Sequence, residues 1–162
     1  LLDNHVHWLV KCKSAQDLQE HITSIADDAR KIHQKKFLNG DLTFAEAIEF
    51  QLKDFFIAYA MAFNKRYKRS GALFLNPFRR VAIKNEEHLT QVVIYQHANA
   101  LKHGIHKDFE NYKWSSYRTI LSDKSTLLRR DELLQYFGGK EQFIKMHKEM
   151  VEFHYSHSLS LE

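Results

Sequence analysis

Three features of this 162-residue chain could do chemistry: two histidines, a tyrosine followed one helical turn later by an asparagine, and a cluster of cations around an aromatic residue. His5 and His7 lie two apart in His-Val-His-Trp-Leu-Val, residues 5–10, a run whose β-branched and aromatic content predicts a short strand. A strand's period of two puts both imidazoles on one face, close enough to share one cation. The chain has 11 histidines, so a chance pair of ordinary strand residues remains the alternative, and a third ligand has to come from elsewhere. Tyr95 and Asn99 share the flank of a predicted helix, where a phenol and a neutral amide oxygen can face the same metal-bound phosphate. The plainer alternative is a half-buried tyrosine at the rim of the core beside a solvated asparagine. Lys65, Arg66, Lys68 and Arg69 surround Tyr67, and Arg79 and Arg80 follow. Cations around an aromatic suit a nucleic-acid strand, which offers phosphates for charge and bases for stacking. A solvated helix C-terminus favoured by the helix dipole explains the same cluster without a ligand. Strand alternation would leave at most one of Arg79 and Arg80 facing the metal site. His97, His103 and His106 fall on other faces of the helix or beyond its end and receive no role.

The elements that must position these groups are legible from periodicity. Leu18, Ile22, Ile25, Ala29 and Ile32 form a helical stripe across residues 15–36, and Asn39-Gly40-Asp41 breaks it. A stronger helix spans residues 44–67, with Ala47, Ile48, Leu52, Phe55, Phe56, Tyr59 and Phe63 expected inward and Thr43 with Glu46 as its capping pair. Two short strands, 72–75 and 78–83, are expected about an Asn76-Pro77 turn. The tyrosine-bearing helix, 85–101, has Asn85 as cap, Glu86 and Glu87 in its first turn and Gly104 beyond its end. Its expected core face is Leu89, Val92, Val93, Gln96 and Ala100. Helical patterns return at 130–137 and 141–153, split by Gly138-Gly139.

Composition bounds the function classes. With 44% hydrophobic and 27% charged residues, five Gly and one Pro, the chain is neither disordered nor collagen-like. Its single cysteine, Cys12, excludes an intramolecular disulfide framework and any multi-cysteine metal site, and points to the cytoplasm. No apolar run suits a membrane span or a signal peptide. A net charge of +4 and a pI near 9.1 matter only where the charge is concentrated. No Gly-rich phosphate loop is present.

Several phrases, in this order, resemble the single-tyrosine HUH transposases of bacterial insertion sequences, and more closely the REP-associated tyrosine transposases. Residues 2–10, with Asp3-Asn4 before His-hydrophobic-His, are similar to the family's metal-binding strand. Residues 63–67, 70–74 and 78–79 resemble its helix-to-strand passage, and Ile94-Tyr95-Gln96-His97-Ala98-Asn99 with Gly104-Ile105 resembles its tyrosine helix. Tyr112-Lys113-Trp114-Ser115-Ser116-Tyr117 is similar to a downstream phrase of the family, and residues 131–138 resemble the C-terminal segment of REP-associated members. Three departures stand out. Ala100 replaces a usual proline, residues 13–43 form a longer polar connection, and the strand and helix that precede His-x-His in the family are missing from this sequence. The expectation drawn from the last is that the sequence begins after residues removed or encoded upstream, or that a homodimer completes the sheet.

The resemblance implies an α+β fold: a ferredoxin-like or RRM-like antiparallel sheet with helices packed on it. A catalytic domain would span residues 1–122 and a helical C-terminal extension 123–162. It implies that His5, His7 and Asn99 hold Mg²⁺ or Mn²⁺, with zinc as a competitor, and that Tyr95 attacks a single-stranded DNA phosphate to give a 5′-phosphotyrosine and a free 3′-hydroxyl. Lys65, Arg66, Lys68, Arg69 and Arg79 would bind the DNA backbone or a hairpin, with Tyr117 as a stacking candidate and Trp114 expected to be a packing residue. The alternatives are a non-catalytic nucleic-acid-binding relative and, third, an interaction protein dimerising through the aromatic stripe of residues 44–67.

Overall fold

A computed structural model of the chain describes residues 1–2, 5–75 and 77–158, with side chains to residue 152. The Asp3-Asn4 phrase and Asn76 of the expected turn lie outside the described residues. The chain divides into two units, residues 10–80 and residues 1–9 with 81–162.

The α+β expectation is overturned: the described residues form helices and no strand. Residues 5–10, 72–75 and 78–83 are coil and bends. A strand exists only through its ladder, and β-propensity reports fit to a neighbouring pleated surface more than an intrinsic preference of the chain. Among the described residues, 5–10 join no strand ladder, Trp8, Leu9 and Val10 are exposed, and the Leu2 amide bonds back to the His5 carbonyl at 2.9 Å.

In the unit of residues 10–80, the single expected helix of residues 15–36 is broken into α1 (Ala15–Ser24), a 3₁₀ turn (Asp27–Ala29) and α2 (Ile32–Leu38). The Arg30 guanidinium donates to the carbonyls of Ile22 (3.0 Å) and Thr23 (2.8 Å), satisfying helix-end acceptors that a continuous helix would have used itself. α3 (Phe44–Arg66) starts as the sequence predicts, with Thr43 and Glu46 in a reciprocal capping box. Ala47 is buried and Ile48, Leu52, Phe56 and Phe63 are half-buried, but Phe55 and Tyr59, expected inward, are exposed.

In the other unit, α4 (Glu86–Lys102) is capped by Asn85, whose side chain accepts from the His88 amide at 2.8 Å. It ends in a Schellman motif: the Ile105 amide bonds the Ala100 carbonyl and the Gly104 amide the Leu101 carbonyl, with Gly104 at φ +65. α5 (Tyr117–Leu121), α6 (Arg130–Tyr136) and α7 (Lys140–Ser158) follow. The core unites Val93 and Ile94 of α4, Phe109, Tyr117 and Ile120, and Phe137 and Phe143. A second cluster joins Leu2, Ala100 and Tyr112, and the Tyr112 hydroxyl donates to the Leu1 carbonyl at 2.6 Å. Residues 1–9 are thereby tied to the helical unit without a sheet. The buried face of α4 is Thr90, Val93, Ile94, His97, Asn99 and Ala100. The expected face was rotated, since Leu89, Val92 and Gln96 are only half-buried.

No helix among the described residues is long and apolar enough to cross a membrane. Phe143 is fully buried, its ring 4.8 Å from that of Phe137 and 5.5 Å from that of Tyr117. Phe143→Ala is expected to destabilise this unit by about 3–5 kcal/mol. A urea titration followed by tryptophan fluorescence would read it, because both tryptophans, Trp8 and Trp114, belong to this unit.

Candidate catalytic site

The residues singled out in the sequence fall into two groups, one in each unit. In the helical unit, His5, His7 and Tyr95 come together although no strand carries the histidines. The two Nε2 atoms are 3.2 Å apart, and the His7 and Tyr95 ring centres are 5.9 Å apart in an edge-on arrangement. Two metal–nitrogen bonds of about 2.1 Å to a common ion would subtend an angle of about 100° at that separation, so the pair suits one cation. Burial, and next the neighbouring His5, lowers the His7 pKa, which favours the neutral imidazole that ligates metals.

Asn99 has the separate property of an orphan. It is 1% exposed, and among the described residues neither its Oδ1 nor its Nδ2 has a hydrogen-bond partner. A buried, unpaired amide costs about 1–3 kcal/mol unless something meets it. Tyr95, one turn earlier, is 44% exposed, so the two residues share a flank of α4 but not its burial. The expectation of a half-buried tyrosine beside a solvated asparagine is reversed. Among the described residues no group of three or more His, Cys, Asp and Glu could hold a metal ion. Two imidazoles on one ion would leave positions for other oxygens.

Two neighbours were not anticipated. His103, at the C-cap of α4, has its ring 6.4 Å from that of His5, and the Lys102 ammonium sits 5.2 Å over the Tyr95 ring. Both lie about two turns beyond Tyr95, a spacing that marks them as neighbours of its flank once the helix is known to run to Lys102.

A buried chain of hydrogen bonds behind α4 was also missed. The Phe143 carbonyl can only accept, so His147 Nδ1–H donates to it at 2.7 Å. His147 Nε2 must then accept from His97 Nδ1–H at 2.8 Å, and His97 Nε2 accepts from the Ser116 hydroxyl at 2.8 Å. The order is that of nucleophile, base and orienting group. Burial, with the His147 charge next, lowers His97 to about 3, and burial lowers His147 to about 4 against the opposing pull of the Phe143 carbonyl. Burial thus favours both imidazoles neutral, and their hydrogen bonds tie α4 to α7 and to the start of α5. Its sequence signal was available: His97 continues the Val93–Ile94 stripe and His147 lies one turn after Phe143.

The downstream aromatics exchange the expected roles. Trp114 is 55% exposed with the Lys113 ammonium 4.8 Å over its ring, whereas Tyr117 is buried and unable to stack on a base. Burial first, then the Glu110 and Asp108 carboxylates, push its phenol up to about 12.

In the other unit, Lys65 and Arg66 occupy the last turn of α3, and Lys68 turns the chain with φ +50 while the Arg69 amide bonds the Asn64 carbonyl. This Schellman-type end fans the four cations around Tyr67. All four and Arg79 are exposed, and among the described residues none of the five makes an ion pair. Arg80 is instead paired with Glu49. No family model matches the chain, nor does any curated protein or solved structure.

The tie carries a pH prediction. Both imidazoles bind protons less readily folded than unfolded, where the ordinary value is 6.5. Their contribution is intact above pH 6.5 and is lost as the pH falls from there towards 4 and 3. Unfolding free energy of this unit should be flat from pH 8 to 7 and drop by about 3 kcal/mol between pH 6.5 and 5, and His147→Gln should roughly halve that slope. Urea titrations across the range, read by tryptophan fluorescence, check both.

Proposed function

We propose that this chain is a metal-dependent single-stranded DNA transposase or endonuclease that cleaves and rejoins DNA through a 5′-phosphotyrosine on Tyr95. The reading follows its resemblance to single-tyrosine HUH transposases, REP-associated members above all. The observation that carries it is the convergence of His5, His7 and Tyr95, distant in sequence, on one spot. It stands on this constellation and not on the sheet, which the described residues do not form.

His5 and His7 would hold Mg²⁺ or Mn²⁺ through Nε2, with the unpaired Asn99 amide as third ligand and Zn²⁺ as a competitor. Bound there, the cation polarises the scissile phosphate and neutralises charge developing on it. The exposed Tyr95 is open to an incoming strand, and the Lys102 cation over its ring offers a further positive charge to a phosphate. The Tyr95 oxygen forms a bond to phosphorus as the bond to the 3′ oxygen breaks. The phenol loses its proton to solvent and the departing 3′ oxygen gains one. Attack by a 3′-hydroxyl on the phosphotyrosine reverses the step, so no ATP is consumed.

Lys65, Arg66, Lys68, Arg69 and Arg79 would bind the backbone of single-stranded or hairpin DNA in the cytoplasm, and the exposed Trp114 could stack on a base.

Incubation with labelled hairpin DNA and Mg²⁺ or Mn²⁺ should give a covalent adduct that survives denaturing electrophoresis and is absent from Tyr95→Phe and His5→Ala. Binding without adduct across a panel of hairpins would instead establish the non-catalytic nucleic-acid-binding reading. In the same assays, log affinity should fall linearly with log salt, and Lys65→Ala with Arg66→Ala should flatten the slope by about 0.7 for each phosphate that is no longer neutralised. An unchanged slope would remove the basic cluster from the DNA interface.

A further inference from the structure

The hydrogen-bonded chain behind α4 is used by none of the steps above, yet it ends on the helix that bears Tyr95. His97 lies two residues after Tyr95 and two before Asn99. At about 100° per residue it points about 180° from the mean direction of those two side chains. It is therefore attached to the back of α4, with one ring nitrogen bonded to His147 of α7 and the other to Ser116 at the start of α5. Ser116 makes no capping bond to its own helix, its hydroxyl being committed to His97.

We propose that the Ser116–His97–His147 chain is a positioning device that sets the rotation of α4 about its axis, and with it the aim of Tyr95 and Asn99 at the His5–His7 pair. The catalytic half of this statement rests on the transposase reading.

Apolar contacts around Val93 and Ile94 are non-directional and tolerate a roll of the helix by a fraction of a residue. The two hydrogen bonds of His97 are not so tolerant, because each has a fixed donor direction and each partner sits on a different helix. The polarity of the whole chain is anchored by the Phe143 carbonyl, so the His97 ring cannot flip and keep both bonds. A roll that broke them would sweep the Tyr95 phenol, at the end of a long side chain, by more than the backbone moves. Displacements near 1 Å at a reacting group are worth up to about 100-fold in rate.

The test uses Ser116→Ala, which removes the half-exposed end of the chain, and Ser116→Thr, which returns the hydroxyl. One readout is the single-turnover rate of adduct formation with hairpin DNA, beside the DNA affinity. The other is the fluorine NMR signal of Tyr95 in protein labelled with 3-fluorotyrosine, read without DNA. The alanine variant should form adduct about 10- to 100-fold more slowly with DNA affinity within about twofold of wild type, and should shift the Tyr95 signal; the threonine variant should restore both. A wild-type rate and an unmoved Tyr95 signal in Ser116→Ala overturn the proposal, as does a failure of threonine to restore them. If wild-type protein forms no adduct at all, the transposase reading fails on its own, and the fluorine signal alone decides the positioning role by the same criteria. Should Ser116→Ala not fold, His147→Phe, which keeps the ring packing and removes the acceptor for His97, takes its place. His147→Gln, which can still accept from His97, is then the rescue.

Discussion

An imidazole buried among aromatic rings has to be neutral, and a neutral imidazole has one donor and one acceptor, so each of its neighbours must be of the right kind. His147 meets this condition twice over. Its ring centre is 4.1 Å from that of Phe143 and 5.1 Å from that of Tyr117, while its two nitrogens are committed to the Phe143 carbonyl and to His97. The packing and the hydrogen bonds thus select the same arrangement of α4 on α7. With α4 set in this way, Val93 and Ile94 enter the core, Tyr95 remains exposed, and Asn99 is buried on the other side near the turn of Gly104. The apolar cluster is non-directional, whereas each hydrogen bond of the polar chain has a fixed direction and a fixed partner.

The histidine half of the site is held differently. His5 and His7 lie on a segment outside any helix, joined to the rest of the unit by the burial of Leu2 against Ala100 and Tyr112 and by the Tyr112 hydroxyl on the Leu1 carbonyl. One partner of the constellation is therefore fixed on a 17-residue helix capped at both ends, and the other is tethered at one end. The two imidazoles are also drawn to each other across 3.2 Å, which a single shared proton can satisfy as a hydrogen bond. A cation on the pair would stabilise this segment by binding the ordered form and not the unfolded one.

How far the sequence discloses this depends on whether a signal is local. The capping box of Thr43 and Glu46, the Asn85 cap and the glycine after α4 are short-range devices, and the helices they bound were legible. The lack of a strand at residues 5–10 was not, because Val6, Trp8 and Val10 satisfy a strand pattern whose partner has to be supplied by tertiary structure. The break between α1 and α2 depends on Arg30 reaching back to Ile22 and Thr23, which a hydrophobic stripe does not reveal. At the site, residue types and spacing brought out His5, His7, Tyr95 and Asn99. They did not bring out His97, because a histidine in a helix reads as surface until His147, 50 residues later, is found to complete its bonding. The same oversight goes with the rotated face of α4: the expected stripe took in Leu89, Val92 and Gln96 beside Val93 and Ala100, where the buried face takes in Thr90, Ile94 and His97.

Charge completes the division of labour between the two units. A cation is available to a phosphate at little cost only if it is solvated and has no ion pair to break. Lys65, Arg66, Lys68, Arg69 and Arg79 satisfy that condition, whereas Arg80, adjacent to Arg79 in sequence, must first give up Glu49. The side chains around Tyr95 contribute less charge, since burial favours neutral His7 and the Lys102 ammonium is the one cation placed on the tyrosine ring among the described residues. Affinity for a polyanion would then come chiefly from one unit and be screened by salt, while the chemistry at Tyr95 would depend on geometry in the other. On that argument, loss of cations would weaken capture, and loss of the ties on α4 would slow reaction without weakening capture.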